Sequence, residues 1–478
     1  MNPVDLLTRR EFVKGASAFG AISLIAWSGG CESCNIQNRP TRRNISNLAA
    51  NDPVIQTYKA AVAAMKGLPS SDPRNWTQQA NIHFNHCTHG NWFFLPWHRY
   101  YLLYFERICR KLTGDNNFAL PYWNWTTHPA VPDVFWDTTS PLYDPNRGVT
   151  QADQADPSWV GAPVIQSILN EPNFNIFASG PPVGGQLHFA TNTGILEGNP
   201  HNNIHGWMDS TDMGTFMSPL DPVFWTHHNM LDCLWVDWNI NLGNANTNDP
   251  AWANQQFSDF FDENGNSVTI TVIDSILLPL FVYQFEPCAP GETAQAQRRS
   301  KSELEKFLRA GAPSKFEYVK RFELAQALTV EVGKSATGSI KIEPEAFRSV
   351  LEGNKNLAVL TVSDVEIPVK RDYFVRVFLN KPDASAETSI EDPHYAGSFA
   401  FFFDEAAMKA HGMESATGER PKAGYLIDFT PTFRKLNQAG SLPSGQLDVS
   451  FVPVGYQHRE TAGQSLTVGR IEAALARF

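Results

Sequence analysis

Apolar positions along the chain recur with two different periods, and the change falls near Pro313. Between Asn35 and Phe285 the spacing is helical, with long loops rich in Pro, Asn and Gly between the periodic segments. One helix is predicted over Asp52–Leu68. Asp52 can cap its free amides and Pro53 is tolerated in the first turn. A second is predicted over Pro96–Leu112, where Leu102, Phe105 and Ile108 form one stripe. A third opens at Ser218-Pro219-Leu220-Asp221-Pro222 and runs through Trp238. Beyond Pro313 the alternation is of period two. Leu357–Val362, Tyr373–Leu379 and Leu447–Val454 read as strands bounded by Gly, Pro and Asn. The pattern therefore predicts a mainly α core followed by a C-terminal all-β, sandwich-like domain. Between them, Glu286–Ser314 is polar, basic and poor in apolar residues, which reads as a linker with a protease-sensitive pair at Arg298 and Arg299.

Composition narrows the function. The 478 residues are 42% hydrophobic and 18% charged, enough to build a sizeable core. A net charge of −11 argues against nucleic-acid partners, which need basic surface for phosphate contacts. The N-terminus carries Arg9-Arg10-Glu11-Phe12 ahead of a short apolar run from Gly15 to Trp27. Residues 1–34 thus read as a twin-arginine export signal, giving a periplasmic or secreted protein with no stable membrane insertion once the signal is removed. Cys31, just past the run, is a candidate lipid-attachment site. Of the 6 cysteines, Cys109, Cys233 and Cys288 read most simply as buried thiols.

Eight of the 13 histidines fall in two short windows. The first holds His83, His86, His89 and His98. The second holds His201 and His205 and resumes at His227 and His228. His201 and His205 are four apart, so a helix places them on one face, and His228 on the next helix can complete a set of three. His98 sits at the start of a helix, with His83 and His89 expected on the loop before it. Imidazole suits Zn, Cu, Fe and Ni, and among divalent ions copper binds such sites most tightly. A single zinc hydrolase site would use one set and a carboxylate base, which two complete sets do not call for. The spacing points to two coppers held in a four-helix core.

These windows resemble the two copper sites of the tyrosinase, catechol oxidase and hemocyanin family. The resemblance rests on Trp92–Arg99 (Trp-Phe-Phe-Leu-Pro-Trp-His-Arg), Leu120–Trp125 (Leu-Pro-Tyr-Trp-Asn-Trp) and Asp221–His228 (Asp-Pro-Val-Phe-Trp-Thr-His-His). It is strongest to the plant-type polyphenol oxidases and their bacterial counterparts, and it extends through Asp372–Asp383 and Ala396–Phe399 into the second domain. It implies a catalytic domain over 35–285, a linker over 286–314, and a β-domain over 315–478 that shields the active site and keeps the enzyme latent. His83, His89 and His98 would bind one copper, and His201, His205 and His228 the other. His86 and His227 become bystanders, His227 pointing off the metal face because adjacent helical positions diverge by about 100°.

The resemblance also assigns roles around the metals. Cys87 would be joined to His89 by a thioether bond. Glu197 and Asn202 would hold a water that accepts a phenol proton, and Phe216 would screen the substrate entrance. Arg99 and Asp232 read as structural supports, and Arg39 as the arginine that pairs with Tyr283. The implied activity is oxidation of o-diphenols to o-quinones by dioxygen, with ortho-hydroxylation of monophenols as a further step. The alternatives are a catechol or o-aminophenol oxidase without that step, or an oxygen carrier of the hemocyanin kind.

Overall fold

The computed structural model describes residues 39–182, 187, 192–208, 211–291, 317–324, 326–352, 356–410, 421–442 and 445–477. The expected export signal, Cys31 and the Arg298-Arg299 pair lie outside the described residues. Five helices organise the first part: α1 (Pro53–Gly67), α2 (Trp76–His86), α3 (Phe94–Thr113), α4 (Asn202–Met208) and α5 (Val223–Val236). Asp52 caps α1 as its sequence requires, its side chain accepting from Val54 N at 2.9 Å. Asn75 does the same for α2 through Thr77 N. Gly114, at φ 75°, ends α3 in the left-handed conformation that a residue with a Cβ resists. The aromatic stripe of α3 meets α5 closely, with Phe105 and Trp225 stacked at 3.5 Å between centroids.

Charge is also buried among these helices. Asp232 of α5 accepts from Arg42 (3.0 Å) and from the Tyr283 hydroxyl (2.6 Å), and it pairs with Arg99 of α3. Arg42 also reaches Glu106 at 3.0 Å, and its guanidinium lies 3.5 Å above the Tyr283 ring. Arg42, not Arg39, is therefore the partner of Tyr283; Arg39 donates instead to the Pro279 carbonyl. The reason lies in register. β1 (Thr41–Arg42) runs parallel to β4 (Gln284–Phe285), which sets Arg42 opposite Phe285 and beside Tyr283. Between them in sequence, β2 (Gln256–Phe261) and β3 (Ser267–Thr271) form a hairpin against α3.

Two of the cysteines correct the sequence reading. Cys233 and Cys288 form a disulfide across 55 residues, where buried thiols were expected. It pins the chain to α5, and Ala289 N donates to Asp237, so the chain stays packed on the helical core past Phe285.

Among the described residues, nine strands form the C-terminal part. One sheet has the order β10-β9-β12-β7, from β7 (Ala336–Lys341), β9 (Tyr373–Leu379), β10 (Tyr395–Phe399) and β12 (Gln446–Gly455). The other has the order β11-β8-β13-β5, from β5 (Glu317–Leu324), β8 (Asn356–Glu366), β11 (Lys422–Asp428) and β13 (Ser465–Arg477), with β6 (Leu328–Glu331) also pairing β13. Val375, Val377, Val449 and Phe451 of the first sheet share one core with Leu360, Val362, Ile471 and Ala473 of the second. This is the expected sandwich, with short helices at Pro344–Glu352, Glu405–Ala410 and Thr430–Gln438 added to it. β9 is buried at every position because its second face is covered as well: Phe374 packs with the helical core against Trp159 at 5.1 Å.

Candidate active site

Seven imidazoles converge in the middle of the helical core. His83 projects from the last turn of α2, His89 from the loop that follows, and His98 from the first turns of α3. His83 is thus helical, where a loop was expected; α2 persists because Asn75 caps it and Cys87 N still bonds back to His83 O. His201 ends a wide, π-helical turn over Glu197–His201, His205 lies on α4, and His228 on α5. The wide turn follows from Pro200, which cannot donate to the helical ladder. Within each set, one ligand-capable atom per residue lies within 4.8 Å of the others: His83, His89 and His98 in one, and His201, His205, His227 and His228 in the other. The two sets abut, with the His98 and His228 rings stacked at 4.4 Å.

His227 does not turn away from this cluster. Its Nδ1 accepts from Trp125 Nε1 at 3.2 Å, and its ring lies nearly parallel to His201 at 5.6 Å. A helical offset separates adjacent Cα directions, but an imidazole is long enough to reach back to the neighbouring rings of His201 and His205. His86 stands outside, exposed and 3.6 Å from Asp259.

The wiring of the rings fixes their tautomers. His83 Nδ1 donates to Phe216 O (2.7 Å), His98 Nδ1 to Phe94 O (2.8 Å), His205 Nδ1 to Met213 O (2.6 Å) and His201 Nδ1 to Asn202 Oδ1 (2.8 Å). With Nδ1 carrying the proton, Nε2 presents a lone pair to the cavity. The Nε2 atoms of His83, His98 and His201 are buried there without a hydrogen-bond partner, and those of His205 and His228 face each other at 3.2 Å. Burial lowers the pKa of these rings, to about 3 for His98 and His205, so they are neutral ligands. Buried Nε2 atoms with no hydrogen-bond partner at His83, His98 and His201, each within a cluster of three or four imidazoles, fit metal ions.

The remaining predicted residues surround the cavity. Glu197 is buried, and desolvation pushes its carboxyl group up to about 8, against hydrogen bonds from Ser179 Oγ (2.7 Å) and Gly90 N (2.6 Å) that favour the anion. Asn202 Nδ2 donates to Ala400 O at 2.9 Å, so both ends of its amide are engaged. Phe216 stacks on His89 at 5.1 Å. Cys87 caps α2, and burial with the nearby Asp404 and Glu197 charges pushes its thiol up. Arg99 and Asp232 lie behind the ligands, and Arg99 lies 3.5 Å over the Trp235 ring.

Phe402 of the C-terminal part was not anticipated. Its ring lies 4.2 Å from His205, 4.9 Å from His89 and 5.2 Å from Phe216. Asp404 accepts from Phe216 N at 2.8 Å, and Ser398 Oγ donates to Asn199 at 2.6 Å. Alternation was the available signal. In Phe399-Ala400-Phe401-Phe402, Phe399 and Phe401 enter the sandwich core, which sends Ala400 and Phe402 to the other side.

The model for the common central domain of tyrosinase matches residues 73–193 and 146–241, and one described as a domain of unknown function (DUF7868) matches 323–474. Polyphenol oxidase A1 of Vicia faba is 30% identical over 414 residues, covering 76% of this chain and 68% of its own. The (+)-larreatricin hydroxylase of Larrea tridentata is 29% identical, with the same coverage on both sides. The solved latent apple tyrosinase shares the fold, with a TM-score of 0.66 and 22% identity over 92% of this chain and 97% of that one. Both plant relatives are named as chloroplastic, which overturns the expected twin-arginine export to a periplasm or the medium. Among the described residues no helix is long and apolar enough to cross a membrane.

Proposed function

The chain belongs to the tyrosinase and polyphenol oxidase family, and from that premise we propose how its residues divide the work of a dicopper phenol oxidase. The enzyme oxidises o-diphenols to o-quinones with dioxygen and uses two copper ions. His83, His89 and His98 hold one ion, and His201, His205 and His228 the other. The observation that carries this reading is the pinning of Nδ1 on four of these rings, with Nε2 left bare on His83, His98 and His201 and facing only His228 on His205. His227 stays a bystander, held by Trp125. The copper pair would supply dioxygen activation and electron uptake; the protein supplies orientation, proton handling and exclusion of water.

Glu197 is the proton acceptor beside the second set, acting with Asn202 through a water so that a phenol loses its proton on binding. Monophenol hydroxylation follows from that step. Ala400 occupies one of the two Asn202 Nδ2 donors, so release of the C-terminal domain frees a donor for that water and should favour hydroxylation. Phe216 screens the approach on the His89 side. Cys87 is joined to His89 by a thioether, formed with loss of two hydrogen atoms to dioxygen at the copper-loaded site. That bond fixes the one ligand that sits on a loop.

The division of the chain is a catalytic domain over 35–285 extended to Ala289 by the Cys233–Cys288 bond, a linker to 314, and a shielding domain over 315–478. Phe402 in the cavity mouth makes the intact chain latent. The test is oxygen uptake with a simple phenol and with the matching catechol, before and after limited proteolysis of the linker. Uptake should rise on cleavage, and more for the phenol. Unchanged rates on both substrates would refute latency.

A further inference from the structure

We propose that Ser179 is a positioning residue for the Glu197 carboxylate, kept in an unfavourable backbone conformation for the sake of its hydroxyl group. Ser179 follows the short helix Phe174–Ala178 and has φ 83° and ψ 153°. Among the described residues four non-glycines have positive φ, and the other three, Asp364, Asn380 and His458, all lie in the C-terminal part. Glycine would take this conformation without strain, so a side chain here is retained against a local preference. Ser179 is wholly buried.

With Glu197 ionised, the direction of the Ser179 hydrogen bonds is fixed. Gly194 N lies 2.8 Å from Ser179 Oγ and can only donate, so Oγ accepts there. Its one hydrogen is left for Glu197 Oε2 at 2.7 Å. Gly194 is held close for this purpose: a Cβ on it would fall 2.3 Å from Ser179 N. The other carboxylate oxygen accepts from Gly90 N, directly after His89. Ser179 therefore completes a two-point clamp that aims the carboxylate between the His89 loop and the His201 turn. Both clamping groups donate, so the clamp favours the anion that can take up a phenol proton. The titratable groups facing Glu197 are Tyr425, neutral because burial pushes it up, and Cys87, whose thiol burial pushes up and which does not titrate once joined to His89.

This inference rests on the reading of Glu197 as proton acceptor, and the experiment separates the two. Ser179→Ala removes the hydroxyl and keeps the strain, whereas Ser179→Gly removes both. The ratio of monophenol hydroxylation to catechol oxidation should fall about fivefold in both variants, with the rising limb of hydroxylation moved up by about one pH unit. The same shift should appear without copper, in the pH above which the melting temperature of the metal-free protein stops falling. Wild-type ratios and profiles in both variants would show that neither the hydroxyl nor the strain matters, and in Ser179→Gly alone that only the backbone does; either result overturns the proposal. If Glu197→Gln itself keeps the wild-type ratio, the reading of Glu197 fails instead.

Discussion

The helical core and the β-sandwich handle buried polarity in opposite ways. Around the imidazoles the core encloses full charges: Arg42, Glu106, Arg99 and Asp232 are each at most 4% exposed. The sandwich interior is apolar, with Val375, Val377, Leu360 and Ile471 meeting across it. Its polar contacts cluster where it touches the core, at Ala400, Ser398, Asp404 and Arg376, the last reaching Asp156 at 3.0 Å. A buried ion network is weak as glue but strict in geometry. In the core it locks α3, carrying His98, against α5, carrying His228. The sandwich needs no such strictness internally; its specificity lies in the face that delivers Phe402. Damage to the two regions should therefore act in opposite directions on activity.

The largest effect is expected in the core. Asp232→Ala strips the shared carboxylate from two buried guanidinium groups, and the destabilisation should be about 3–5 kcal/mol, with copper retention lost. Chemical denaturation and metal analysis would check it, and a stable, copper-loaded variant would break the comparison. Leu360→Ala opens a cavity in the sandwich and should cost about 2–4 kcal/mol locally. Its signature is reversed, since catechol oxidation without proteolysis should increase as the shield loosens. Phe402→Ala removes the ring that packs on the imidazole cluster while leaving the sandwich core intact. The intact variant should gain about tenfold in catechol oxidation, or roughly 1.4 kcal/mol in barrier. A rate as low as that of the intact parent would place the block elsewhere.

Smaller and sharper is the pH dependence of the metal-free protein. The Glu197 carboxyl is raised from the ordinary glutamate value of 4.5 to about 8. Below 4.5 both folded and unfolded chains hold this proton. Between 4.5 and 8 only the folded chain holds it, so stability falls as pH rises through that window and levels off above. Glu197→Gln should remove that part of the slope in a pH series of melting curves.

Much of this was legible in the sequence, and the misses share a cause. The helices opening at Asp52, Pro96 and Ser218 and the period-two strands followed from spacing, because periodicity reports which face is buried; the choice of six histidines among eight came from the family resemblance. Arg42 was missed in favour of Arg39 because the pairing depends on the register of β1 against β4, more than 240 residues apart. The Cys233–Cys288 bond and the Phe402 contact are likewise long-range. His227 was misjudged because a helical wheel assigns faces by Cα direction and ignores the reach of the side chain. Ser179 carried no sequence signal, since nothing in a lone serine announces a positive φ.

The central claim is that two three-imidazole sets each hold copper in one catalytic cavity. It is tested most directly by metal analysis of the copper-loaded chain beside His98→Ala and His205→Ala, one variant from each set. The account predicts two coppers per chain in the parent, loss of one in each variant, and no catechol-dependent oxygen uptake in either. A parent that holds a single ion, or zinc in preference to copper with no oxygen uptake, would contradict it.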